Sequence, residues 1–232
     1  MNAVIYFSGT GESYNIAKYL ADKTKFLLLD VTNITANKFT NTILVFPVYC
    51  QSAPKCIMEF LSTLKTTRLA LVATYGRISY GNVLNEIQNN FNHRIIAAAY
   101  VPCKHSYLDE PRFTDFEKLA PITKMSKKLY SATVITIPKA EKHPMASFMP
   151  KLRSQIGCKI IKDYALCDKC NICRRRCSLY AIYQGYTNRK CIRCLRCVQN
   201  CPNKALTVKL SPSMRKYLAK QPRKDEFILY MN

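Results

Sequence analysis

Eight of the twelve cysteines in this 232-residue chain follow one spacing twice. Each run reads C-x2-C-x2-C-x3-C, and the second run begins 24 residues after the first. Three closely spaced thiolates can wrap one side of a compact cluster, and a distant fourth completes its coordination. Because two runs are present, we expect the last cysteine of each to bind the other cluster. The predicted ligands are Cys167, Cys170, Cys173 and Cys201 for one 4Fe-4S cluster, and Cys191, Cys194, Cys197 and Cys177 for the other.

A pair of structural zinc sites is the alternative interpretation of these cysteines. Zinc sites typically use two ligand pairs separated by a dozen or more residues, which fits three closely spaced thiols poorly. A chain without a secretion signal also favours metal or redox centres over disulfides. A segment so rich in cysteine buries little apolar surface, so we expect the clusters to supply its core.

Residues 160–209 resemble the bacterial-type two-cluster ferredoxins, with all eight ligand positions present. Ser178 stands where many members of that family carry proline. The charge differs as well, because such ferredoxins are typically acidic. In this chain the residues between and beside the ligands include Arg174, Arg175, Arg176, Arg189, Lys190, Arg193 and Arg196.

A second candidate site is the loop Ser8-Gly9-Thr10-Gly11-Glu12-Ser13, which stands between an apolar run and a helical pattern. Hydroxyl groups and backbone N–H groups at a helix N-terminus form a cradle for a phosphate dianion. The loop lacks both the Gly-Lys-Ser/Thr of a P-loop and the third glycine of a dinucleotide fingerprint. An ordinary strand-to-helix turn with a capping hydroxyl is the alternative.

This loop matches the FMN phosphate pattern S/T-x-T-G-x-S/T of flavodoxins, which residues 1–130 resemble. The resemblance implies that Tyr75 stacks on the flavin, that the Gly76 peptide faces its N5, and that Tyr49 or Tyr80 covers the other face. For any single tyrosine, packing or surface exposure is the alternative. The predicted FMN contacts are Ser8, Gly9, Thr10, Gly11, Glu12, Ser13, Tyr49, Thr74, Tyr75, Gly76 and Tyr80.

The elements that must position these residues alternate between strands and helices. Predicted strands span residues 3–7, 26–29, 43–48, 69–74 and 95–101. Predicted helices span residues 13–21, 54–64, 83–91 and 115–130. Such alternation implies right-handed crossovers and a doubly wound parallel α/β sheet. The resemblance to flavodoxins implies five strands in the order 2-1-3-4-5.

Four units follow along the chain. Residues 1–135 form the predicted flavodoxin-like FMN-binding domain and residues 136–158 a linker. Residues 159–209 form the smaller α+β ferredoxin-type domain. Residues 210–232 form a tail to which the sequence assigns no role.

Composition and charge restrict the classes of function. An apolar content of 48%, with 15 tyrosines and 10 phenylalanines, excludes global disorder, and no apolar run is long enough to cross a membrane. The N-terminus does not resemble a secretory signal, which predicts a cytoplasmic protein. A net charge of +22 predicts an acidic redox partner of ferredoxin or flavodoxin type, steered by charge.

Together the two segments resemble proteins in which a flavodoxin-like domain is fused to a two-cluster ferredoxin. The predicted function is an electron-transfer protein that relays single electrons between FMN, the clusters and another redox protein. One alternative is an oxidoreductase that reduces a quinone, a nitro compound or free flavin. Another is a nucleic-acid-binding iron–sulfur protein, which the basic charge alone favours. The sequence indicates no catalytic residue.

Overall fold

The computed structural model describes residues 1–127, 133–144 and 150–232. The strands are β1 (Ala3–Tyr6), β2 (Leu27–Asp30), β3 (Lys38–Pro47), β4 (Lys65–Tyr75), β5 (Ile95–Pro102), β6 (Cys158–Lys162), β7 (Ile182–Tyr183), β8 (Tyr186–Thr187), β9 (Leu206–Leu210) and β10 (Ile228–Met231). The α-helices are α1 (Glu12–Thr24), α2 (Lys55–Thr63), α3 (Val83–Asn90), α4 (Ala120–Lys127), α5 (Pro150–Gly157), α6 (Ile172–Arg175), α7 (Arg196–Gln199) and α8 (Pro212–Lys220). A 3-10 helix, Phe116–Leu119, precedes α4.

The N-terminal sheet has the order β2-β1-β3-β4-β5, and all of these neighbours run parallel. The predicted order 2-1-3-4-5 is therefore confirmed, and the sheet is flavodoxin-like. A sixth strand, β10, pairs antiparallel with β5. A parallel sheet is covered on both faces, which explains why every residue of β5 is buried.

The core lies on both faces of this sheet. On one face Phe46 and Leu71 pack with Ile57 of α2 and Ile87 of α3. On the other face Ile16 and Leu20 of α1 pack with Ile122 of α4 and with Val72. Apolar residues three or four apart place each helix against the sheet, and the loops at the carboxyl ends of the strands are left to form sites.

The predicted helix over 115–130 is divided into the 3-10 helix and α4, and its residues 128–130 lie outside the described residues. Beyond that gap, residues 133–144 follow α3 closely. Ile135 and Ile137 are buried, and the Asn85 side chain donates to the carbonyl oxygen of Ile137 at 2.7 Å. Lys142 and Glu86 form an ion pair at 2.8 Å. This stretch is thus attached to the sheet domain over most of its described length.

The iron–sulfur segment is small and held by short elements. β6 and β9 pair antiparallel along five residues each, and β7 and β8 form a hairpin. The helices α6 and α7 each follow one cysteine run. Few of its apolar side chains are buried, as expected for a segment whose core includes cofactors.

The last 22 residues return to the N-terminal sheet. Ser211 caps α8, accepting from the backbone N–H of Met214 at 3.2 Å, and β10 then joins β5. Both ends of the iron–sulfur segment are therefore connected to the sheet. Among the described residues, no helix combines the length and apolar character that a membrane span requires.

Candidate functional site

The eight cysteines of the repeat line two separate cavities. The first is lined by Cys167, Cys170, Cys173 and Cys201. The second is lined by Cys177, Cys191, Cys194 and Cys197. Each cavity takes three thiols from one run and one from the other, so the side chains are grouped in the same crossed sets that the spacing predicts.

The backbone repeats together with the cysteines. Six non-glycine residues take left-handed conformations, with φ between 48° and 62°, at positions that match between the runs. They are Lys169, Asn171 and Tyr180 in the first run and Arg193, Leu195 and Lys204 in the second. Each such conformation costs about 1–2 kcal/mol, so it persists only where surrounding contacts enforce it. One repeated backbone shape therefore builds both cavities.

The thiols surround a space rather than meeting at one point. Within residues 1–127, 133–144 and 150–232, no three His, Cys, Asp or Glu side chains converge on a position that a single metal ion could take. This arrangement fits a multi-iron cluster better than one zinc ion. Burial raises the pKa of the Cys194 and Cys197 thiols to about 11 and 12, so both must release protons when they bind metal.

The second cavity lies directly against the N-terminal sheet. A Cβ placed on Gly9, in the loop after β1, would fall 2.1 Å from the carbonyl oxygen of Cys194 and 2.6 Å from the hydroxyl of Tyr49. Real Cβ atoms do not approach other atoms so closely. Glycine at this position therefore allows the loop to touch a cysteine run, and Tyr49 packs at the same junction.

A buried ion pair fixes the same junction. The Arg196 guanidinium donates to the Asp30 carboxylate at the end of β2 and to the Thr32 hydroxyl, the latter at 3.1 Å. Both charged side chains are only 9% exposed. Arg196 also lies over the Phe7 ring, 5.8 Å from its centroid. Because Arg196 stands between two cysteines of the second cavity, it couples that cavity to the sheet edge.

The loop 8–13 is held by its own side chains. The backbone N–H of Gly11 donates to the Ser8 hydroxyl at 3.2 Å, and the Ser13 and Thr74 hydroxyls are hydrogen-bonded at 2.8 Å. Ser8, Ser13 and Thr74 are buried. Gly11 has a φ of 97° and begins α1, a conformation that glycine adopts readily. The predicted hydroxyls thus order the loop around the N-terminus of α1.

A cavity of about 610 Å³ opens beside this loop. Thr10 and Glu12 line it from the loop, residues 104–109 line it from the connection after β5, and Leu195 and Val198 line it from the iron–sulfur segment. This volume is in the range typical of cofactor and ligand sites. The cavity therefore combines walls from both halves of the chain.

Basic side chains outnumber acidic ones around this cavity. Lys104, Arg112, Lys209 and Arg215 line it, against Glu12 and Asp109. Arg112 lies 3.4 Å from the Glu12 carboxylate. Burial raises the pKa of Glu12, and the Arg112 charge opposes that rise. The balance of charge favours an anionic ligand.

Two predicted flavin contacts, Tyr75 and Tyr80, do not line this cavity. The Tyr75 hydroxyl donates to the carbonyl oxygens of Lys224 and Glu226, at 3.1 and 2.8 Å. The Tyr80 ring stacks on Tyr100, with 4.2 Å between centroids. The chain between α8 and β10 therefore covers the loop after β4.

Gly76 reaches the cavity through another residue. A Cβ on Gly76 would lie 2.5 Å from Cδ2 of His105, which lines the cavity. The backbone N–H of Tyr107 donates to Nδ1 of His105 at 3.2 Å. Burial lowers the pKa of His105 to about 4, so this imidazole is neutral at pH 7.

Sequence reasoning missed most of the cavity lining. Lys104, His105 and Tyr107 follow β5, and a loop at the carboxyl end of a parallel strand could have been expected to border a ligand site. No local signal marks Lys209 or Arg215, because they reach the cavity only through the packing of the iron–sulfur segment against the sheet.

Comparisons with known proteins agree with this division of the chain. Residues 187–207 match the family model described as a 4Fe-4S binding domain, so this part of the chain is an iron–sulfur segment. No curated protein matches the chain.

Solved structures similar to the chain include three flavoproteins. A putative flavoprotein from Bacteroides uniformis is 16% identical, with 45% of this chain and 91% of that chain covered and a TM-score of 0.36. A short-chain flavodoxin associated with a non-canonical PDU bacterial microcompartment is 16% identical, with 56% and 99% covered and a TM-score of 0.41. Megasphaera elsdenii flavodoxin is 16% identical, with 47% and 90% covered and a TM-score of 0.37. The fold assignment rests on strand order and register, not on these likenesses.

Proposed function

We propose that this chain, in which a flavodoxin-like sheet is joined to a 4Fe-4S binding segment, is an electron-transfer protein. It relays single electrons between bound FMN and two 4Fe-4S clusters, and onward to an acidic redox protein. The observation that carries this proposal is the contact between Gly9 and Cys194, which joins the loop beside the 610 Å³ cavity to the second cysteine cavity. Two cofactors held there would be neighbours.

The two cysteine cavities support a pair of clusters. Their thiols are grouped in crossed sets, and the strained backbone positions recur at the same offset in both runs. In this proposal each set of four thiolates holds one cluster. The ligands of the first cluster are Cys167, Cys170, Cys173 and Cys201. Those of the second are Cys177, Cys191, Cys194 and Cys197.

The 610 Å³ cavity fits FMN by size, charge and backbone. Loop 8–13 presents N–H groups at the start of α1, where a phosphate dianion binds favourably. Lys104 and Arg112 offset the charge of that phosphate, and Arg112 also neutralises Glu12. When bound, FMN supplies a centre that accepts electrons one or two at a time.

The other residues predicted to contact FMN support the site from behind its walls. Thr74 holds Ser13, and Gly76 packs on His105. Tyr49 packs against Gly9, at the junction with the iron–sulfur segment. Tyr75 and Tyr80 join the loop after β4 to the C-terminal segment through Glu226. The relay needs no acid–base pair, because these residues bind and orient cofactors.

Anaerobic reconstitution of the full chain tests the proposal directly. We expect eight irons, eight sulfides and one FMN per chain, measured with the visible spectrum. Stopped-flow reduction should then show the flavin and cluster absorbance bands changing in one shared sequence of phases. Colourless protein containing zinc, protein that binds no flavin, or cofactors that do not exchange electrons would overturn the proposal.

A further inference from the structure

Three exposed tyrosines gather beside the first cysteine cavity. Tyr164, Tyr183 and Tyr186 are 69%, 52% and 60% exposed, which is unusual for large aromatic side chains. The Tyr164 and Tyr186 hydroxyls are in hydrogen-bond contact. We name these three residues, together with Lys162 and Arg174, the tyrosine face.

The β7–β8 hairpin builds this face. Tyr183 and Tyr186 are cross-strand partners, so their side chains lie on the same side of the hairpin. The intervening residues Gln184 and Gly185 both have positive φ, 45° and 87°, as a tight two-residue hairpin turn requires. The same two residues line the first cavity. The hairpin thus has one side toward that cavity and carries the tyrosines at its surface.

Positive charges lie over the rings of this face. The Lys162 ammonium is 4.4 Å from the Tyr164 centroid and 4.9 Å from that of Tyr186, and the Arg174 guanidinium is 5.1 Å from the Tyr183 centroid. Among the residues that the structure describes, no carboxylate forms an ion pair with Lys162 or Arg174. Aromatic rings and arginine are enriched at the centres of protein interfaces.

The two cavities differ in their surroundings. The second touches the N-terminal sheet through Gly9 and Arg196, whereas the first is bordered by the hairpin and by Asp168, Lys169 and Asn203, none of which belongs to the sheet. The first cluster would therefore be the outer one. An exposed face beside the outer cluster is where another electron carrier can approach most closely.

We propose that the tyrosine face is the docking surface for an acidic one-electron carrier protein. This inference rests on the proposed function and adds the place of contact. In each encounter one electron moves between the carrier's redox centre and the cluster held by Cys167, Cys170, Cys173 and Cys201. One centre is reduced and the other oxidised by a single electron, and no bond forms or breaks. Carboxylates on the carrier pair with Lys162 and Arg174.

Single-stranded nucleic acid also binds surfaces that combine tyrosine with basic residues. Here one face of each tyrosine ring is already covered by a cation, which reduces the area on which a base could stack. A hairpin-sized patch suits the small interface of a transient redox encounter. The position beside a cysteine cavity favours the electron carrier as well.

The test measures electron transfer between the cofactor-loaded protein and a reduced acidic two-cluster ferredoxin, by stopped-flow at several ionic strengths. The variant K162E/R174E reverses two charges on the tyrosine face. The matched control K38E/K65E makes the same change in net charge at exposed positions at the start of β3 and β4, remote from the cysteines. Y183A removes a ring without changing charge.

We expect K162E/R174E to lower the second-order rate constant at low salt by about tenfold or more and to flatten its dependence on salt. Y183A should lower it by about threefold or more, whereas K38E/K65E should change it by less than that. Iron content and reduction by methyl viologen should equal those of the parent protein in all variants. Where K162E/R174E loses iron, K162Q/R174Q replaces it, with an expected loss in rate of at least threefold.

Equal losses in K162E/R174E and K38E/K65E would overturn the docking surface, since only net charge would then matter. Unchanged rates in the face variants would overturn it as well. So would tight binding of an oligothymidylate that K162E/R174E abolishes while transfer to the ferredoxin persists. A parent protein that lacks clusters or FMN would instead overturn the proposed function, so the two failures are distinguishable.

Discussion

The cluster sites and the flavin cavity are built in different ways. All eight cysteines lie within 35 consecutive residues, and each set shares one repeated backbone shape. The lining of the 610 Å³ cavity extends from Thr10 to Arg215 and comes from loops that meet only after folding. A site made by local spacing can be found in a sequence, whereas a site made by convergence becomes visible when the elements pack.

Loss of one ligand should produce the largest effect and separate the two kinds of site. We expect C197S to lower iron content by about half or more and to reduce amide protection in β6 and β9, because the clusters supply that segment's core. The parallel sheet should keep its protection. C56S is the control, since Cys56 lies outside both runs. Iron analysis and hydrogen exchange measure the result, and equal iron loss in C56S would contradict it.

The ion pair between Arg196 and Asp30 tests whether the halves are energetically joined. R196M leaves a buried carboxylate unpaired, which we expect to lower the free energy of unfolding by about 3 kcal/mol. D30N/R196M should lose less than the sum of the single variants, measured by denaturant titration as a double-mutant cycle. Strict additivity would show that the two halves stand independently.

The loop after β1 offers a finer test of the same junction. G9A places a methyl group against the Cys194 carbonyl, and we expect it to lower the free energy of unfolding by about 2 kcal/mol. In G11A the added Cβ meets no atom within 4 Å, so only the positive φ opposes it, at a cost of about 1 kcal/mol. Hydrogen exchange in α7 should rise in G9A alone. A G9A protein as stable as the parent would refute the close contact.

The pH dependence of stability should show the smallest effect, confined to the flavin side. The pKa of His105 is lowered to about 4 by burial, so between pH 7.5 and 5.5 the unfolded state takes up a proton that the folded state does not. Stability therefore falls with falling pH, by about 1 kcal/mol over this interval. H105N should remove that part of the loss, measured by denaturant titration at each pH. Exposed His143, changed to asparagine, is the control, and an H105N profile parallel to the parent's would contradict the prediction.

The parts that the sequence predicts correctly are the local ones. The five parallel strands are recognisable because buried strands form short apolar runs, as at β5. Glycine spacing points to the loop 8–13, but the partners that Gly9 meets come from residues about 40 and 185 positions away. Tyr75 matches a flavodoxin position, yet its hydroxyl is bonded to a segment whose role no local pattern indicates. β10 is a short run whose partner strand lies far back in the chain, so only tertiary pairing identifies it.

The position of β10 in the chain also affects biosynthesis. The ribosome makes all eight cysteines before it makes the strand that pairs with the outer edge of β5. Until then that edge presents unpaired backbone groups, which attract strands from other molecules. A nascent chain that stalls or misfolds within the cysteine repeat would keep this edge exposed, and chaperones or proteases could recognise it. Completion of the sheet therefore comes last and marks a finished polypeptide.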